Sequence, residues 1–384
     1  MTHGVELQVA PGIVIASGHG GSEVPWPWRV FMVTPQARGW LSMPAGAGAR
    51  LGLASASVPV PVPVAALMPA DAQADALTES LSIDLQAFVA PIEKALADGF
   101  CQADAVVIGM TALARGMAAA SSSSPESTAS PTSLTSLTGR EALPVLSSTQ
   151  VPVPLAFNFP STGPEPMGLY AIVDSADWVE RVAAAGVTTV QLRIKHSDEA
   201  LLGPQIEASI AAARRHGARL FINDHWRLAM RHGAYGVHLG QEDLETADLA
   251  ALAHAGVRLG LSTHAPWEVA RALAASPSYI ACGPIHATLT KDMPWIPQGE
   301  GNLAFWSSVL PVPVVAIGGL DLARAADAAA CGADGIAVLS GITQADDPEA
   351  AIRAYADAVG VGRRRARSAA PVWPRPTLPH ALTR

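Results

Sequence analysis

TTVQLRIKHSDEALLGPQIEASIAAARRHGARLFIND, residues 188–224, decides the fold. Thr188–Leu192 and Arg219–Ile222 are short β-rich apolar runs, and Glu199–His216 between them carries the spacing of a helix. A helix joining two such runs is a βαβ crossover, right-handed and feeding a parallel sheet. The same beat extends both ways, from about Pro166 to Gly360. Further runs are Leu169–Val173, Gly236–Leu239, Arg258–Leu261, Tyr279–Cys282, Val314–Ile317 and Gly335–Leu339, which makes eight expected strands. Helical patterns follow at Asp177–Ala185, Pro266–Ala275, Asp321–Ala330 and Pro348–Val359. Eight units over about 195 residues predict an α/β fold of the (β/α)8 TIM-barrel type.

Outside that region the texture changes. Residues 1–120 form an N-terminal extension of uncertain α/β fold, with a Trp- and Pro-rich patch at Val24–Trp28 and the repeat VPVPVPV at 58–64. Alternating Pro removes backbone donors, so the repeat is expected to be extended or polyproline-like. Residues 121–165 read as a linker, since Ser, Thr and Pro dominate 121–149 and little there offsets the entropy of ordering. Residues 361–384 are Arg- and Pro-rich and read as a basic, solvated tail.

Composition narrows the function classes. The net charge of −8 speaks against non-specific nucleic-acid binding, which needs an excess of Lys and Arg. No apolar run reaches the length of a membrane span, and no signal peptide is evident. Three widely spaced cysteines, Cys101, Cys282 and Cys331, suit a reducing compartment, so a cytoplasmic protein is expected. Of 25 basic residues only Lys94, Lys195 and Lys291 are lysines. A surviving Lys in an Arg-rich chain marks either a site needing a compact charge or mere compositional chance.

In a TIM barrel the chemistry sits where the strands end. The second strand ends Gln191-Leu192-Arg193-Ile194-Lys195, whose alternation puts Gln191, Arg193 and Lys195 on one face. Long polar groups there are costly unless they meet a ligand or solvent. The third strand ends Asn223-Asp224 and the fourth leads into Gln241-Glu242-Asp243. Asp224 and Asp243 are the metal candidates, since Mg2+ takes one or two carboxylates together with phosphate oxygens and waters. Each Asp could instead cap the helix after it, although capping leaves Asn223 unexplained. The fifth strand ends Ser262-Thr263-His264. After the sixth, Thr288-Leu289-Thr290-Lys291 offers two hydroxyls and an ammonium suited to a diphosphate. Met293–Gly301 reads as a flap. Gly318-Gly319 and Leu339-Ser340 end the last two strands, where backbone amides of such barrels commonly hold a phosphate. No Ser-His-Asp or Cys-His pair stands out. Displacement of a pyrophosphate assisted by a metal and Lys therefore fits better than covalent hydrolysis.

The segments GLYAIVDS, TVQLRIK, FINDHWRLA, YGVHLGQEDL, GLSTH, GPIHATLTKDMPWIPQG, AIGGL and GADGIAVLS, in that order, resemble the thiamine phosphate synthase family. The resemblance covers Met167 to about Tyr355. It implies that a pyrimidine diphosphate, 4-amino-2-methyl-5-(diphosphomethyl)pyrimidine, and 4-methyl-5-(2-phosphoethyl)thiazole give thiamine phosphate and pyrophosphate with Mg2+ as cofactor. It further implies that Gln191, Arg193, Lys195, Asn223, Ser262 and Lys291 contact the pyrimidine diphosphate. Of these, Lys195, Lys291 and Arg193 would be catalytic. Asp224 and Asp243 would hold Mg2+, while Thr288, Thr290, Gly319, Leu339 and Ser340 would take the thiazole phosphate. The threonines thus move from the diphosphate to the other phosphate. His286 departs from the family pattern, which has Phe or Tyr there. Residues 85–110 faintly resemble part of a hydroxymethylpyrimidine phosphate kinase, without its nucleotide loop and in too short a stretch. The expected partners are the two small substrates, with no nucleic acid or membrane, and a homo-oligomer is compatible. A non-catalytic regulator on the same barrel is the alternative, against which both aspartates and both site lysines count.

Overall fold

A computed structural model of the chain describes residues 5–10, 13–17, 29–34, 36–42, 90–121, 143–147, 157–288, 294–365 and 374–379. The Trp/Pro patch, the VPVPVPV repeat and the Ser-rich core of the expected linker lie outside them. The chain divides into two units: 1–153 with 265–274 and 376–384, and 154–264 with 275–375.

In the first unit, β1 (Val5–Ala10), β2 (Ile13–Ser17), β3 (Arg29–Val33), β4 (Arg38–Ser42) and β5 (Val145–Ser147) form an antiparallel sheet in chain order. Strand β5 falls inside the stretch expected to be linker. Leu41 and Leu146 pair across the β4–β5 ladder and are both fully buried, so apolar residues order that short piece of a polar segment. A helix Gln102–Ser121 and the helix Pro266–Ala274 also belong to this unit. Asp104, buried within it, accepts the backbone N–H of Trp267 at 3.0 Å and so caps a helix 163 residues away in sequence.

The second unit is the barrel. Strands β6 (Gly168–Val173), β7 (Thr189–Leu192), β8 (Arg219–Asn223), β9 (Gly236–Leu239), β10 (Arg258–Thr263), β11 (Tyr279–Cys282), β12 (Val314–Ile317) and β13 (Gly335–Val338) are parallel and closed. All eight expected strands are present, with ends shifted by at most two residues. The helices Ala176–Ala184, Glu199–Arg215, Leu322–Ala330 and Pro348–Arg364 follow the strands as expected. Each begins at a Ser or Asp (Ser175, Asp198, Asp321, Asp347) whose side chain accepts a helical N–H.

Met167, Tyr170, Phe221, Tyr279 and Val315 fill the barrel interior. Large rings fit because a neighbouring strand supplies glycine at the same level. Gly260 is paired with both His238 and Tyr279, and a Cβ there would lie 2.1 Å from the Tyr279 ring. The missing side chain lets Tyr279 lie across Gly260 and stack on His238, with ring centroids 5.6 Å apart.

The boundaries expected around the barrel need correction at both ends. Residues 161–165, expected to be linker, are bound with Pro166 at the N-terminal ends of its strands. Arg219 donates to the carbonyls of Thr162, Glu165 and Pro166, Arg258 to that of Ser161, and Tyr235 Oη to that of Thr162. These are the N-terminal ends of the strands, so the arginines satisfy carbonyls that would otherwise face the barrel floor. The expected solvated tail begins inside a helix that runs to Arg364, and Arg375 is hydrogen-bonded to Asn302 of the barrel unit.

Candidate functional site

The strand ends bring most of the expected residues to one rim. Gln191 is the third residue of β7 and is buried; its Nε2 donates to Tyr170 Oη at 3.2 Å. The strand stops at Leu192, so the expected alternation holds only to Gln191. Arg193 still donates its N–H to Val173 O at 2.7 Å, and its side chain is half-buried, whereas Lys195 is exposed. The Arg193 guanidinium acts electrostatically on both Asp224 and His238.

Asn223 ends β8 and is buried. Asp224 follows with φ 62°, a left-handed conformation that only Asn, Asp and Gly adopt readily. It does not cap the next helix: Trp226–Arg231 starts from His225 without a side-chain cap bond. Asp243 opens a 3-10 turn, Asp243–Glu245, and its Oδ2 accepts Gly240 N–H at 3.2 Å, so it does serve a local turn. The two carboxyl groups come within hydrogen-bonding reach of each other. Desolvation first, and then the neighbouring Asp243 charge, push the Asp224 carboxyl up to about 6. Two carboxylates this close on an open rim match the donor set of Mg2+, which needs only one or two and completes its shell with phosphate and water. Among the described residues no cluster of three or more His, Cys, Asp or Glu is arranged for a metal.

Beneath the rim runs a chain of hydrogen bonds that strand-end reasoning missed. Tyr170 Oη lies 2.9 Å from Tyr279 Oη, Tyr279 Oη lies 2.7 Å from His238 Nδ1, and His238 Nε2 lies 2.8 Å from Ser262 Oγ. With Gln191 at one end and Ser262 at the other, the chain crosses the barrel. Gln241 Nε2 holds the Ser262 carbonyl at 2.7 Å. Burial, then the charges of Arg193 and His264, push His238 down to about 4. It is therefore a neutral imidazole with one donor and one acceptor nitrogen at neutral pH. The sequence did carry a signal: His238 and Tyr170 are polar groups in strands that otherwise read as buried.

The last strand ends form the other side. Gly318 and Gly319 have φ 100° and 65°, and a Cβ on Gly319 would lie 2.5 Å from Ala287 O. The glycine pair thus admits the 284–287 backbone, a packing role beside the expected phosphate role. Ile285 N–H donates to Ile317 O at 2.8 Å and His286 N–H to Gly318 O at 3.0 Å, so the segment entering Thr288 is laid along this turn. Leu339 and Ser340 stand at the start of a four-residue helix, Ser340–Thr343. His286 Nε2 lies 3.4 Å from Glu300 Oε1, a contact that Phe or Tyr would lack. Thr290 and Lys291 lie outside the described residues, as does Met293 at the start of the expected flap. The His264 ring stacks on Trp295 with centroids 5.2 Å apart.

A family model described as thiamine monophosphate synthase matches residues 169–342. The thiamine-phosphate synthase of Serratia proteamaculans is 54% identical over 194 residues, which are 50% of this chain and 91% of that protein. That of Salmonella schwarzengrund is 54% identical over 206 residues, 53% of this chain and 97% of that protein. A solved structure, thiamine phosphate pyrophosphorylase from Pyrococcus furiosus, aligns with 26% identity and a TM-score of 0.47, covering 51% of this chain and 96% of that one. Among the described residues no helix is long and apolar enough to cross a membrane.

Proposed function

The chain belongs to the thiamine-phosphate synthase family, a family of transferases, and on that premise we propose the reaction and the roles of the residues that carry it. The reaction joins 4-amino-2-methyl-5-(diphosphomethyl)pyrimidine to 4-methyl-5-(2-phosphoethyl)thiazole. The carbon–oxygen bond to the diphosphate breaks, and pyrophosphate leaves with the electron pair. The thiazole nitrogen lone pair then captures the pyrimidine-methyl cation, giving thiamine phosphate.

The observation that carries this reading is the Asp224–Asp243 pair beside Arg193 at the strand ends. Asp224 and Asp243 would hold Mg2+, which when bound supplies charge neutralisation to the departing diphosphate. Arg193, Lys195 and Lys291 would add fixed positive charge around the same group, so that leaving-group charge is stabilised without reorganisation. Gln191, Asn223 and Ser262 would orient the pyrimidine, with Gln191 and Ser262 tied together by the Tyr170–Tyr279–His238 chain. A neutral His238 suits this work, since a buried cation there would add to the repulsion on the forming carbocation. Thr288, Thr290, Gly319, Leu339 and Ser340 would hold the thiazole phosphate at the opposite side of the rim.

The activity is read as residing in the barrel unit, and three cysteines spread widely along the chain, Cys101, Cys282 and Cys331, support a cytoplasmic setting. The test is to supply the purified chain with both substrates, with and without Mg2+, and to measure thiamine phosphate and pyrophosphate. Equal yields of the two products, only with Mg2+, are expected. Binding of the substrates without any turnover would favour the non-catalytic regulator instead.

A further inference from the structure

Arg375, far from the barrel strands in sequence, is bonded to the loop that returns from the sixth strand and to the helix Gly299–Val309 that follows it. Arg375 uses its backbone and its side chain at once. Its N–H donates to Asn302 Oδ1 at 2.8 Å, and its carbonyl accepts from Asn302 Nδ2 at 3.0 Å. Its guanidinium donates to the carbonyls of Pro297 at 2.7 Å and Gln298 at 3.4 Å. Gly299, with φ 67°, leaves room for it, since a Cβ there would lie 3.1 Å from Arg375 Nη2.

Asn302 and Gln298 are buried polar side chains, 3% and 2% exposed, so each of their hydrogen bonds matters. Asn302 Nδ2 also donates to Gln298 Oε1 at 2.9 Å, and Gln298 Nε2 donates to His264 O at 2.8 Å. Gln298 N–H donates to Pro284 O at 2.7 Å and Gly299 N–H to Ile285 O at 2.9 Å. Ile285 and His286 in turn donate to Ile317 and Gly318. Hydrogen bonds joined by short stretches of backbone therefore lead from Arg375 through Gln298 to Pro284, and through Gly299 to Ile285, and on to Ile317 and Gly318 beside Gly319. A second branch leads through His264 to the end of β10, two residues from Ser262.

We propose that Arg375 is a positioning residue for the phosphate side of the active site, holding residues 297–299 so that the 284–287 backbone keeps its place against Gly318 and Gly319. This rests on the synthase reading above. Arg375 touches no reacting group, so its effect should fall on substrate binding and not on the chemical step.

The experiment uses the full-length chain with Arg375→Ala and Arg375→Lys. Synthase kinetics are measured with the thiazole phosphate varied, and hydrogen exchange is followed at the amides of Gln298 and Gly299. Arg375→Ala is expected to raise KM for the thiazole phosphate about 5- to 20-fold with kcat within about twofold, the signature of lost binding. Exchange at the two amides should speed up. Arg375→Lys, which can reach one carbonyl but not two, should fall between. Faster exchange with unchanged KM would make the residue structural only and overturn the proposal, as would no change in either quantity. An inactive wild type would overturn the synthase reading and this proposal together. An active wild type indistinguishable from Arg375→Ala overturns this proposal alone.

Discussion

The phenol oxygens of Tyr170 and Tyr279 meet at 2.9 Å inside the barrel, and through them Gln191 on β7 is coupled to Ser262 on β10. Both hydroxyls are fully buried, and burial raises both phenols well above their ordinary range, so each stays protonated and donates one hydrogen along the chain. Tyr279→Phe keeps the ring in the space over Gly260 but leaves Tyr170 Oη and His238 Nδ1 each short of a partner. The expected loss is about 1–3 kcal/mol of unfolding free energy, read by chemical denaturation. A rise in KM for the pyrimidine diphosphate should accompany it. Tyr170→Phe, which removes the acceptor of Gln191, should raise that KM further.

His238 gives the barrel a defined pH dependence. Its folded value is lowered from 6.5 to about 4, so between those values the unfolded chain takes a proton that the folded one refuses. Stability from this group is present above pH 6.5 and is lost as pH falls towards 4, by roughly 3 kcal/mol in all. Unfolding free energy measured from pH 7.5 down to 4.5 should show this loss. His238→Gln, uncharged at every pH, should flatten the slope.

Asp224 is predicted to be unfavourable for the metal-free fold and required for the reaction. Asp224→Asn keeps a residue that tolerates φ 62° and removes the carboxylate repulsion. Its melting temperature without Mg2+ at pH 7.5 should match or exceed that of the wild type. Mg2+ should stabilise the wild type and leave the variant unmoved, and synthase turnover should fall by at least about 100-fold. A variant that still responds to Mg2+ would remove Asp224 from the metal site.

The first unit has its own titration. Burial, chiefly, and Glu268 to a lesser degree push the Asp104 carboxyl up to about 7. The folded state holds a proton there that the unfolded chain has released above about pH 4. Stability from Asp104 is therefore full below that value and lost as pH rises through 7. Asp104→Asn still accepts the Trp267 N–H. It should remove the downward slope between pH 5 and 8 in calorimetric melts, or in hydrogen exchange of the helix Pro266–Ala274.

Arg219 decides where the barrel begins. Its bonds to the carbonyls of residues 162, 165 and 166 predict that Arg219→Ala destabilises the barrel by about 2 kcal/mol. A chain starting at residue 154 should melt higher than one starting at 167. Equal melting temperatures would show that residues 157–166 contribute nothing to barrel stability.

Much of this molecule is legible in the chain. The eight strands announce themselves because each is a short buried run followed by a polar turn, and several of the helices that follow start at a Ser or Asp cap, all local features. Candidate rim residues can be named from strand ends alone, since the fold fixes which end carries chemistry. What was missed shares one cause. Tyr170, Tyr279 and His238 sit within apolar runs, where single polar residues read as incidental. Their partnership depends on register: Gly260 pairs with His238 on one side and Tyr279 on the other. Composition alone places Arg375 in a solvated tail, because it reports charge and proline content, not the buried Asn302 that Arg375 bonds.

By itself the sequence determined the barrel, its strand ends and the kinds of groups gathered there, because hydrophobic period and capping act over a few residues. Only the tertiary structure decided which of those groups meet. Closure of the sheet sets Tyr170 against Tyr279 across 109 residues, and brings the Asp224 and Asp243 carboxyls together at the rim. Those contacts arise from strand register and chain return, which no short stretch of sequence encodes.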